Sequence, residues 1–132
     1  MQIEDSKNSG SEAGNKRGDL AGRLMDFAVS VVKSGKNLSD NYPGMHISNQ
    51  LMRSATSAGA NYEEACGAES RPDFIHKMQI VLKELKEARY WIRLAFKLEL
   101  LHPDTFSSLS KEADELANMV AKSVITAKGA VH

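Results

Sequence analysis

Residues 50–65 read Gln50-Leu51-Met52-Arg53-Ser54-Ala55-Thr56-Ser57-Ala58-Gly59-Ala60-Asn61-Tyr62-Glu63-Glu64-Ala65. Leu51, Ala55, Ala58, Tyr62 and Ala65 recur at steps of four and three. That period lines up side chains on one face of an α-helix, whereas a strand alternates every second residue. One position out of phase, Gln50, Ser54, Ser57, Asn61 and Glu64 repeat with the same steps. A polar row therefore borders the apolar one. It is either an ordinary solvated face or a semi-buried seam, inside a bundle or between subunits. In a seam the polar groups need partners and fix the register. Arg53 on the same helix, with Lys83, Glu84 and Glu87 further along the chain, are placed to supply them. Ser54, Ala55, Ser57, Ala58, Gly59 and Ala60 are all small, which lets a neighbouring helix come close. Gly59 costs about 1 kcal/mol against alanine inside a helix, and close packing would offset it.

The helical period extends in both directions. Upstream, Leu20, Leu24, Phe27, Ala28 and Val31 predict a helix over about 19–37, with Asp19 as its N-cap. Leu38 to Gly44 contains Ser, Asp, Asn and Pro43-Gly44, which reads as a turn. The second helix is expected over about 45–69. Ser70-Arg71-Pro72-Asp73 is a helix start, with Ser70 as cap and Pro72 where amides lack partners anyway. The third helix is expected over about 71–101, its buried face marked by Phe74, Met78, Val81, Leu85, Ala88, Ile92 and Ala95. His102-Pro103-Asp104 interrupts the pattern, and a fourth helix over about 104–128 turns Leu109, Ala113, Leu116, Val120 and Val124 inward. Residues 1–18 are rich in Ser, Gly, Asn, Lys and Glu and read as a flexible tail. Four amphipathic helices with short connections predict one all-α domain over 19–129, an antiparallel up-down four-helix bundle.

Composition narrows the function. The chain has 132 residues, seventeen basic and seventeen acidic, and a single cysteine, Cys66. One cysteine makes no intrachain disulfide and suits a reducing compartment. No run approaches the ~20 apolar residues of a membrane span, and the first residues lack the apolar stretch of a leader, so the expected location is cytoplasmic. Charge balance argues against a general polyanion binder while leaving room for a local patch. Such a patch is offered by Lys86, Arg89, Arg93 and Lys97, at steps of three, four and four, in a segment (70–101) with seven basic and four acidic residues. Tyr90 and Trp91 lie beside it. The stripe reads as a nucleic-acid contact surface or as a solvated face with local pairs such as Lys83 and Glu87.

Catalytic constellations are missing from the pattern. A bundle di-iron site needs two E-x-x-H motifs with two further Glu; Glu99-Leu100-Leu101-His102 is one match, at a helix end, without a second. His46, His76, His102 and His132 are scattered, and Gly59 and Gly67 are isolated rather than part of a phosphate loop. The expectation is a non-enzyme with no catalytic residues, cofactor or metal. A small-molecule or metal site in the bundle core is the remaining third reading.

The 50–65 stretch, followed by Ser70-Arg71-Pro72-Asp73-Phe74, Leu82-Lys83-Glu84-Leu85-Lys86-Glu87 and Trp91-Ile92, resembles the bacterial four helix bundle proteins. That family, the 23S rRNA intervening-sequence proteins, was first noticed as reading frames inside large-subunit ribosomal RNA genes. The resemblance covers roughly residues 19–128. It implies a left-handed up-down bundle, assembly into a homopentamer and an unsettled molecular function. A related branch, the accessory proteins of diversity-generating retroelements, pairs the pentamer with a basic surface that binds nucleic acid and reverse transcriptase; the balanced charge of this chain departs from it. The family's motif positions fall here on Gln50, Arg53, Ser54, Ser57, Asn61, Glu64, Lys83, Glu84 and Glu87. They coincide with the polar seam, which points to a role in structure or assembly.

Overall fold

The computed structural model describes residues 16–38 and 40–129, with side chains from residue 19 onward. Four helices account for almost all of it: α1 Lys16–Leu38, α2 Tyr42–Cys66, α3 Arg71–Lys97 and α4 Pro103–Gly129. There is no strand among the described residues. Most of the expected tail lies outside them, but residues 16–18 belong to α1. Asp19 is therefore a first-turn acid, favourable to the helix dipole, rather than the cap.

The boundaries follow from backbone hydrogen bonding. Asn41 caps α2: its Oδ1 accepts from the Gly44 N–H at 2.7 Å. Pro43 sits in the first turn, so Tyr42-Pro43-Gly44 is helix rather than the expected turn. Gly44 is required there by close approach. An added Cβ would lie 1.6 Å from the Leu38 carbonyl oxygen. Gly67 ends α2 at Cys66, short of the expected 69. Ser70 caps α3 as expected, its Oγ accepting from Asp73 N–H at 3.2 Å. The expected run to 101 stops at Lys97, because Glu99 adopts φ 63°. The Leu100 N–H then reaches Ala95 O, and the Glu99 N–H reaches Phe96 O, both at 2.9 Å. These are the two bonds of a Schellman cap. Pro103 then opens α4.

Neighbouring helices run antiparallel, since numbering rises on one as it falls on the other. Arg53 meets Glu84 while Glu64 meets Lys77. Arg89 meets Asp114 while Phe96 stacks on Phe106 at 4.0 Å between centroids. On α1 and α2, Gly59 faces Leu24 and Gly35 faces Ser48. The core takes its bulk from Leu24, Leu51, Leu85, Ile92, Leu116 and Val120, each fully buried. Interleaved Ala55, Ala58, Ala88, Ala95 and Ala113 are buried too, and small residues facing large ones let the side chains interdigitate. The α1–α4 seam is the open one. Arg23 crosses it to Glu112 and Glu115, both at 2.7 Å, and cavities of about 400 and 440 Å³ lie on either side.

Candidate functional site

The polar row of α2 faces α3, inside the chain. Ser54 is fully buried and donates to the Leu51 carbonyl at 3.1 Å. Asn61 Nδ2 donates to Ser57 O at 2.9 Å and Ser57 Oγ at 3.1 Å. Gln50 continues the row, half-buried. Arg53 spans the groove, donating to Glu84 Oε1 at 3.3 Å and to Glu87 Oε2. At the far end Lys77 holds Glu64 at 2.7 Å. Trp91 Nε1 also donates to Glu87, at 3.1 Å. The Arg53 guanidinium, and then the Trp91 N–H, hold the Glu87 carboxyl below the usual carboxylate range. Glu87 in turn raises Arg53, and Glu64 raises Lys77.

The residues expected to partner the row bond instead to one another, Arg53 to Glu84 and Glu87, while Glu64 pairs with Lys77. Lys83 is exposed, and the expected Lys83–Glu87 pair gives way to Arg53–Glu87. The contacts that cross from α2 to α3 are those of Arg53 and Glu64, while the Ser54 and Asn61 hydrogen bonds are local to α2.

The basic stripe is redrawn by the fold. Lys86, Arg93 and Lys97 are exposed, but Arg89 is turned toward α4 and pairs with Asp114 at 3.3 Å. Lys83 takes its place. At 100° per residue, Lys83, Lys86, Tyr90, Arg93 and Lys97 fall within an arc of about 80°, with Arg89 about 40° beyond its edge. His76 and Gln79 continue the same face, which holds no acid. Tyr90, 52% exposed, packs edge-to-face on Trp91 with centroids 5.1 Å apart, and Trp91 meets His46 in the same way at 5.6 Å.

A further surface escaped the sequence reading. Met25 (62% exposed), Val29 and Val32 lie on the outer side of α1, one residue on from Leu24, Ala28 and Val31 of the core stripe and so about 100° around the helix. The Leu24–Gly59 and Gly35–Ser48 contacts put Val32 level with Met52, which is also exposed. Between the two helices Ala21, Met25, Ala28, Thr56, Gly59 and Ala60 line a shallow groove of about 240 Å³. The sequence signal was the four-and-three spacing of Met25, Val29 and Val32 beside Leu24, Ala28 and Val31. Helix α1 is apolar over more of its circumference than one core face needs.

Among the described residues, no three His, Cys, Asp or Glu side chains stand close enough to hold a metal ion. Glu99 and His102 lie beyond the end of α3 rather than facing a bundle core. Cys66 is a half-buried free thiol. Among the described residues no helix is long and apolar enough to cross a membrane.

Comparison with known proteins agrees with this architecture. The family described as 23S rRNA-intervening sequence protein matches residues 19–122. A crystal structure of a protein of unknown function from the S23 ribosomal protein family, from Bacteroides thetaiotaomicron, is 33% identical. The match covers 80% of this chain and 97% of that one, with a TM-score of 0.75. No curated protein matches.

Proposed function

Because the chain belongs to the 23S rRNA-intervening sequence protein family, a family of bundles without an assigned activity, we propose that it is a non-enzymatic, self-assembling scaffold of the cytoplasm. The observation that carries this reading is the α1–α2 outer face. Met25, Val29, Val32 and Met52 stand exposed around the Thr56-Gly59-Ala60 groove. Charges lie at its rim, at Asp26, Lys33 and Glu63. Exposed large apolar side chains grouped on one face mark an interaction surface rather than ordinary scatter, and small residues between them let another helix approach closely. The occupant in this reading is a second copy of the chain. The homopentamer that the family resemblance implies requires a head-to-tail contact whose rotation closes after five steps. The cytoplasmic assignment rests on the lone Cys66 thiol and a reducing environment.

Size-exclusion chromatography with light scattering on Val29→Glu and Met52→Glu tests the proposal. Both positions are exposed, so helicity by circular dichroism is retained while the particle falls to one chain. Ile125, 70% exposed on α4, is the control: Ile125→Glu leaves the mass unchanged. Variants that keep the wild-type mass overturn the assignment of this face.

A further inference from the structure

We propose that the solvent face of α3 binds single-stranded nucleic acid, with Lys83, Lys86, Arg93 and Lys97 on phosphates and Tyr90 as a stacking platform. Lys83 to Lys97 spans fourteen residues, about 21 Å of helix, or roughly six phosphates of a stacked strand at 3.4 Å each. The face bears no acid from His76 to Lys97. Glu87, at its α2 edge, is engaged by Arg53 and Trp91.

Tyr90 decides the class of ligand. A lone aromatic amid four cations presents too little apolar surface for a lipid interface. Phosphates alternating with bases offer both a charge and a π-face. The ring is also set in advance. Arg53 holds Glu87, Glu87 accepts from Trp91, and Trp91 supports Tyr90 edge-to-face. The α2–α3 seam thereby lowers the ordering cost of stacking. In the assembly proposed above, which rests on that reading, the face would repeat once per copy and weak sites would add through avidity. The face does not depend on that assembly to exist.

Fluorescence anisotropy with a labelled mixed-pyrimidine RNA of about 20 nucleotides, in about 50 and 200 mM salt, tests the proposal. Four phosphate contacts predict an affinity loss of about 50-fold over that range for a single chain, and a steeper one for an assembly. Lys86→Gln with Arg93→Gln weakens binding at least about tenfold, and Tyr90→Ala weakens it about tenfold. Arg89→Gln, outside the arc, changes it less than about twofold. Circular dichroism and light scattering on the same samples confirm fold and particle mass, so lost binding is separated from unfolding or disassembly. Binding that is absent at low salt, or indifferent to Tyr90, overturns the proposal. Polyglutamate or anionic phospholipid vesicles competing as well as RNA overturn it too, since they lack a base to stack.

Discussion

Arg53 on α2 donates to Glu84 on α3 at 3.3 Å, and Glu84 is the one carboxylate among the described residues that is buried, at 8% exposure. A buried carboxylate without its cation retains the desolvation cost and loses the compensation. Arg53→Ala is therefore expected to lower stability by about 2 kcal/mol. Arg53→Met with Glu84→Met removes both the charge and the need for it, and stays within about 1 kcal/mol of wild type. Urea unfolding at one fixed protein concentration measures both. A double variant weaker than Arg53→Ala would show that the pair itself stabilises the fold.

Glu87 ties stability to acid. Its carboxyl titrates below the ordinary 4.5 because Arg53 and Trp91 hydrogen-bond its charged form. The unfolded chain therefore takes up that proton first. The contribution is complete above the ordinary value and is lost as pH falls through the depressed one. Below about pH 4.5, wild type should lose urea resistance more steeply than Glu87→Gln. Parallel curves for the two would contradict this role.

Glu99 occupies the left-handed position of the α3 cap, at φ 63°. A side chain with a Cβ is disfavoured there, and glycine is not. Glu99→Gly should raise stability by about 1 kcal/mol, read as an upward shift in melting temperature. No gain would mean that the Glu99 side chain compensates the backbone.

Two helical glycines should respond in opposite ways. Alanine at Gly44 meets the Leu38 carbonyl oxygen at 1.6 Å and Asn41 Oδ1 at 2.9 Å. Backbone must move, so Gly44→Ala should cost more than about 2 kcal/mol despite alanine's helix preference. Alanine at Gly59 meets only Leu24 Cβ, at 3.9 Å. Close packing within the chain thus does not explain that glycine, and Gly59→Ala should stabilise the unassembled chain by up to about 1 kcal/mol. Thermal melts of both variants in the dissociated Val29→Glu background make the comparison.

The helices were legible because their core stripes repeat with one period, and Ser70 announced its cap. The members of the Arg53–Glu84–Glu87 grouping were legible but not its pairing: they were expected to bond to the polar row, whose Ser54 and Asn61 bonds stay on α2, and they bond to one another. Helix ends were harder. Pro43-Gly44 has the composition of a turn, and only the Asn41 cap and the contact with Leu38 make it a helical first turn. Leu98 and Leu101 continue an apolar pattern, but the chain reverses at Glu99. The stripe of Lys86, Arg89, Arg93 and Lys97 misled because a step of three can rotate a side chain toward either neighbour. Only the fold shows α4, with Asp114, on the Arg89 side. The α1 outer face stayed hidden because Met25, Val29 and Val32 sit beside core residues, and a sequence does not mark where burial stops.

In the proposed assembly, copies of this chain join through α1 and α2. Native mass spectrometry of the wild-type protein at micromolar concentration reads out that contact. The expected result is a single species with the mass of five chains, replaced by single chains in Val29→Glu. A wild-type spectrum containing only the single chain would contradict it.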